Sequence, residues 1–174
     1  MPIPIEILKI KDPDGVERLR VVISFHDVVA QPSVNKQLIE IQNDYVNFIN
    51  NCKRQLNKME TNRKNRGNPL LKWKLADTIY RFVKALELKG YIFANLITAL
   101  SRDLGISVRY VNYLIEFRTT YPDIQLIHRE ICWDKYKELL DIPDISLRKN
   151  CIDKILKGEL KTREDIRKFK KRRN

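Results

Sequence analysis

Residues 91–121 read YIFANLITALSRDLGISVRYVNYLIEFRTTY, and their periodicity decides the fold. Leu96, Ile97, Leu100 and Leu104 fall on one face of a helix. Gly105 follows where the chain needs a positive φ to turn, and Ile106 plugs the turn. Ser107 can cap a second helix whose apolar face is Val111, Leu114, Ile115 and Phe117. A turn glycine, an aliphatic residue directly after it and another six positions on is the spacing of a helix-turn-helix, in which two short helices interlock at a fixed angle. The same spacing arises in a plain helical hairpin, where the pair is core packing and nothing more.

With Val111 and Leu114 turned inward, the outward residues of the second helix include Val108, Arg109, Asn112, Tyr113 and Glu116. Arg109 and Asn112 carry groups that make two-pronged hydrogen bonds to guanine and adenine edges. Ser107, Arg109, Tyr110, Asn112 and Tyr113 are therefore the candidate groove-reading set, with Ser107 and Tyr110 suited to phosphates and Arg102, on the preceding helix, to the backbone. Tyr110 and Tyr113 have a second reading as ordinary packing between helices.

Working outward, residues 70–89 form a helix with Leu71, Leu75, Ile79, Phe82 and Leu86 on one face, and Gly90 is its C-cap candidate. Before it, Asn62-Arg63-Lys64-Asn65-Arg66-Gly67-Asn68-Pro69 is a polar, basic breaker and the clearest boundary in the chain. A long helix precedes that, over about 34–60, with Ser33 as N-cap. Its apolar residues Val34, Leu38, Ile41, Tyr45, Phe48, Cys52 and Met59 follow a 4-3 spacing that Gln55 interrupts, and Ile39, Val46, Ile49 and Leu56 widen the stripe. So broad a stripe suits a core-facing helix or a multi-helix interface, with a dimer seam as the second reading. Residues 3–25 read as a β-hairpin: Ile3, Ile5 and Ile7 alternate, Asp12-Pro13-Asp14-Gly15 turns, and a β-branched run returns.

On the other side, Pro122-Asp123 ends the recognition helix. Trp133, Tyr136, Leu139 and Leu140 mark a short helix closed by Pro143, residues 147–156 another, and Thr162 caps a last one with acids in its first turn. The expected fold is mainly α: an N-terminal β-hairpin and long helix over 1–61, a basic linker at 62–69, and a helical helix-turn-helix domain with a basic tail over 70–174.

Composition points to a polyanionic partner. The 174 residues include 34 Lys and Arg against 22 Asp and Glu, a formal charge of +12. Residues 53–66 hold six basic residues and one acid, and 157–174 hold nine basic residues and three acids, so two segments supply nearly all of the excess. Arg63, Lys64 and Arg66 of the linker and Lys168, Lys170, Lys171, Arg172 and Arg173 of the tail are the candidate phosphate contacts. A heavily charged thermophile surface explains a high charged fraction but less readily such a net imbalance. The tail alone also reads as a frayed, solvated terminus.

Only five glycines disfavour glycine-rich phosphate loops. Cys52, Cys132 and Cys151 form no CxxC, and with two histidines no metal spacing can be built, so the cysteines read as buried thiols and no metal or cofactor is expected. The opening MPIPIEILKIKDPDG lacks the apolar run of a signal peptide and no stretch reaches transmembrane length, so a soluble cytoplasmic protein is expected, nucleoid-associated when bound to DNA.

Trp73-Lys74-Leu75-Ala76, Ile79, Leu96, Leu100-Ser101-Arg102-Asp103-Leu104, Ser107, Phe117 and Tyr121-Pro122, continued by Trp133, Tyr136, Leu139-Leu140, Ile142 and Arg148, resemble the N-terminal domain of YhcG-type nucleases over about residues 70–169. The resemblance implies a helical, helix-turn-helix-like DNA-binding module. Ala76 stands where that family usually has Gly, and the glycine before the recognition serine's helix is shifted. The restriction-endonuclease-like domain that follows in the family is not expected, because the sequence ends at Asn174.

A nuclease needs carboxylates gathered around a metal. Asp14 and Glu17 belong to a turn signal, Asp123 and Asp144 follow prolines as turn residues, and His26-Asp27 has no nucleophile beside it. The expectation is a non-catalytic binder of duplex DNA, with a homodimer through the hairpin or the 34–60 helix as a candidate assembly. The alternative is a structural scaffold or RNA-binding protein in which the helix pair is core packing; it predicts an exposed apolar stripe on the long helix.

Overall fold

In the computed structural model, which describes residues 5–11, 17–23, 36–89, 91–93 and 95–171, the chain is mainly helical. Strands β1 (Ile5–Lys11) and β2 (Glu17–Ile23) precede helices α1 (Lys36–Glu60) and α2 (Pro69–Leu88), with a one-turn helix, Arg63–Arg66, between these two. A short strand β3 (Tyr91–Ile92) leads to α3 (Leu96–Leu104), α4 (Val108–Thr120), α5 (Trp133–Leu140), α6 (Ile145–Leu156) and α7 (Arg163–Lys171). β1 and β2 pair antiparallel from Ile5↔Ile23 to Lys11↔Glu17, and β3 runs parallel to β2. The turn expected at Asp12–Gly15 lies outside the described residues, as do Ser33 and Gly90, the expected caps.

The period of α1 shows in where its side chains lie. Ile41, Tyr45, Phe48, Ile49, Cys52, Leu56 and Met59 are all buried, recurring every three to four residues as a core-facing helix requires. The stripe is spent on the chain's own interior, and of the apolar positions at 41–59 only Val46 stays exposed. Among the described side chains of α1, residues 40–60, no exposed apolar stripe runs along the helix.

The breaker at 62–69 is more ordered than its composition suggests. The Asn65 amide donates to the Asn62 carbonyl at 2.8 Å, and the Asn65 side chain donates to the Lys58 carbonyl at 3.0 Å. Asn68 Oδ1 accepts from the Leu70 N–H at 3.0 Å, closing an Asx turn at the start of α2. Pro69 opens that helix rather than ending the breaker, since a first-turn N–H has no intrahelical partner to lose. Likewise Asp144 is more than a turn residue: its carboxylate accepts from the Leu147 N–H at 2.6 Å, so α6 begins at Ile145, two residues earlier than its apolar pattern.

The chain gathers into two compact units, each made of two stretches: Met1–Arg54 with Thr78–Asn112, and Gln55–Asp77 with Tyr113–Asn174. In the first unit Phe48 and Phe82 stack at 4.1 Å between ring centroids, with Tyr45 tilted against Phe82 at 6.0 Å. In the second, Phe117 meets Tyr121, Trp133 and Tyr136 edge-on at 5.0–5.4 Å. Trp73 Nε1 donates to the Tyr121 carbonyl at 2.7 Å, and the Tyr136 hydroxyl accepts from the His128 N–H at 2.8 Å. Arg118 donates to Asp77 at 2.7 Å with its guanidinium over the Trp73 ring. Many of the residues that carry the YhcG-type resemblance, among them Trp73, Phe117, Tyr121, Trp133 and Tyr136, are therefore core residues.

Candidate nucleic-acid interface

The connection between α3 and α4 is set by three residues. Gly105 lies at φ 68°, ψ 29°, the left-handed region that a Cβ disfavours. Its N–H donates to the Arg102 carbonyl at 3.2 Å and the Ile106 N–H to the Ser101 carbonyl at 3.0 Å, the paired closure of a Schellman motif. The Ser101 hydroxyl donates to the Ile106 carbonyl at 2.6 Å, pinning the turn from the helix side. Ser107 Oγ accepts from the Tyr110 N–H at 3.2 Å, so Ser107 is the N-cap of α4.

This start presents Arg109 and Asn112 to solvent. They lie three residues apart, on neighbouring positions of one helical face. Ser107 is exposed, and its hydroxyl oxygen accepts the capping bond from the Tyr110 N–H. Tyr110 departs from the expected set: it is half-buried and its hydroxyl is enclosed, so it packs inward rather than reaching for phosphate. Tyr113 is half-buried as well.

Arg102 is exposed and anchored. Its Nε donates to Asp103 Oδ1 at 2.7 Å, and the buried Tyr45 hydroxyl donates to Asp103 Oδ2 at 2.5 Å. Partial burial works to raise the Asp103 carboxyl, but the hydrogen bonds from Arg102 and Tyr45 outweigh it and hold the group below the usual aspartate range. Burial, then the Asp103 carboxylate, pushes the Tyr45 hydroxyl far up. Arg102 is thus a fixed positive charge one turn before the connection.

The tail divides its cations between the protein and solvent. Glu138 is 4% exposed and sits in the apolar run of α5. Arg163 donates to its Oε1 through Nε at 2.9 Å and Nη2 at 2.7 Å, and Arg167 reaches Oε2 and Oε1 at 3.0 and 2.8 Å. Lys170 adds bonds to the Glu138 carbonyl at 3.2 Å and to Asp141 at 3.3 Å. Residues 163, 167 and 170 share one face of α7, beside the buried Ile166. Lys170, expected to grip phosphate, is therefore committed to the protein itself. Lys168 and Lys171 lie on the outer face and are exposed. Thr162 caps α7 as expected, in a capping box: its hydroxyl accepts from the Asp165 N–H at 3.2 Å and its own N–H donates to Asp165 at 2.8 Å.

Sequence reasoning missed Glu138, although the signal was present: an acid inside an otherwise buried run, and cations at i, i+4 and i+7 further on. In the linker, Arg66 is exposed, while the side chains of Arg63 and Lys64 lie outside the described residues, as do Arg172 and Arg173.

Among the described residues no group of His, Cys, Asp and Glu is placed to hold a metal. Asp14 and His26-Asp27 lie outside them. Cys52 and Cys151 are buried, and burial pushes their thiols up to about 12 and about 11, the reverse of nucleophile activation. Cys132 is exposed, not buried as expected, because it occupies the N-cap position of α5 instead of a helix interior. No described helix is long and apolar enough to cross a membrane. Comparison of the chain with family models, with curated proteins and with solved structures yields no match.

Proposed function

We propose that this chain is a non-catalytic DNA-binding protein that reads duplex DNA with the first turns of α4 as a recognition helix. The observation that carries the reading is the exposure of Arg109 and Asn112 at the start of a helix aimed by the Gly105–Ser107 connection. Arginine and asparagine are the side chains that discriminate guanine and adenine in the major groove, and a helix-turn-helix reads bases with the N-terminal residues of its second helix. Arg102 supplies a backbone contact, and the outer cations of the basic segments (Arg66, Lys168 and Lys171) supply phosphate contacts. The net charge of +12 supplies the sequence-independent attraction. The likeness to the YhcG-type N-terminal domain belongs to this reading, as do a closed N-terminal hairpin and a place on the nucleoid.

The test is fluorescence anisotropy over a salt series with duplex DNA, single-stranded DNA and structured RNA, comparing wild type with Arg109→Ala/Asn112→Ala. Both positions are exposed, and a thermal melt checks that the double variant keeps its fold. A duplex preference that disappears in the variant supports groove reading. Equal weak binding to all three ligands, unchanged in the variant, overturns it and returns the α3–α4 pair to core packing.

A further inference from the structure

Asparagine is unevenly spread along this chain. Eight of its thirteen asparagines fall within residues 43–68. A general compositional bias would scatter them.

The first group occupies one face of α1. Asn43, Asn47, Asn50, Asn51 and Arg54 follow steps of three and four residues and are all exposed, on the side opposite Ile41, Tyr45, Phe48 and Cys52. Among the described residues no hydrogen bond or ion pair engages these five side chains. Asp44, at the edge of the face, is paired with Lys89 at 3.2 Å, and no acid occurs at 45–59.

Such a face works against its own helix. Asparagine is a poor helix former because its amide competes for neighbouring backbone groups. A face shaped only for solubility carries glutamate and lysine, which favour helix. What asparagine offers instead is a donor and an acceptor side by side, the complement of adenine N6 and N7. The ridge from Asn43 to Arg54 spans about 16 Å, the rise of about five base pairs.

We propose that the exposed Asn43, Asn47, Asn50, Asn51 and Arg54 ridge of α1 is a second duplex-DNA contact surface, lying along the major groove with its amides on adenine edges. Within the ridge itself the one ion is the Arg54 cation, which suits a polyanion; the nearest acids flank it, Glu40 one turn before Asn43 and Asp44 paired with Lys89. The proposal rests on the reading of duplex DNA as the ligand but uses a different helix from Arg109 and Asn112.

The experiment uses the full chain with A·T-rich and G·C-rich duplexes, comparing wild type, Asn47→Ala/Asn50→Ala/Asn51→Ala and Arg109→Ala/Asn112→Ala. Alanine is the better helix former, so the triple variant folds at least as well as wild type, which a thermal melt checks. The charge is unchanged, so the salt slope stays that of wild type. The expected result is a loss of about tenfold on the A·T-rich duplex and a smaller loss on the G·C-rich one, the order of one lost base contact. A triple variant that matches wild type on both duplexes, while Arg109→Ala/Asn112→Ala loses affinity, overturns the ridge and leaves the α4 reading standing. An equal loss on both duplexes overturns the adenine-edge assignment. Wild type that binds neither duplex overturns both readings together.

Discussion

Glu138 shows how much one residue can decide about a charged tail. Burial alone would raise its carboxyl, but hydrogen bonds from Arg167 and Arg163 and the charge of Lys170 outweigh burial and hold it at about 2, against an ordinary 4.5. A carboxylate depressed on folding stabilises the protein at every pH above its unfolded value, and that contribution fades as pH falls through the folded one. Glu138→Gln removes the charge but keeps the shape, leaving three cations with a neutral acceptor. The expected loss is about 2 kcal/mol at pH 7, the scale of hydrogen bonds to a charged group. The gap from wild type should be constant above pH 4.5 and shrink toward pH 2. Chemical denaturation of both proteins across that range checks it, and a gap that does not change with pH would show that the carboxylate is not held as described.

At the scale of the element, α7 separates two roles that look the same in sequence. Its cations at 163, 167 and 170 face Glu138, and those at 168 and 171 face solvent. Lys170→Ala should therefore lower stability by about 1 kcal/mol, since its ammonium is mostly enclosed and bridges Glu138 and Asp141. Lys168→Ala/Lys171→Ala should leave stability within about 0.5 kcal/mol while cutting the salt dependence of duplex binding by about two counterions. If the two variants behave alike in denaturation and in binding, the division of the helix into faces is wrong. Elements of this kind were largely legible beforehand: the buried stripe of α1, the Gly105 turn and the Thr162 cap each follow from local spacing and local hydrogen bonds. Glu138 was not, because its partners lie 25–32 residues away and periodicity carries no information about which acid a basic face will meet. Which of its two readings Tyr110 follows is set the same way, since a large side chain beside a helix start packs wherever tertiary neighbours leave room.

The whole molecule is where sequence order and spatial order part. The polar breaker at 62–69, the clearest boundary in the sequence, suggests a hairpin-and-helix segment followed by a helical domain. The compact units instead each take two stretches, with residues 41–54 helping to enclose the first and 55–77 the second. A fragment of residues 70–174 would strip Phe82 of its stacking partner Phe48 and leave Asp103 without the Tyr45 hydroxyl. It would also deprive the Trp133 N–H of the Gly67 carbonyl, which accepts from it at 3.1 Å. Each loss exposes apolar surface or orphans a polar group, at about 1–3 kcal/mol apiece, and a domain of this size holds only about 5–15 kcal/mol in reserve. The fragment is therefore expected to lack a cooperative thermal transition and dispersed amide resonances, and to recover them when residues 1–69 are added as a separate peptide. A fragment of 70–174 that melts cooperatively alone would restore the sequential division and make the breaker a true domain boundary.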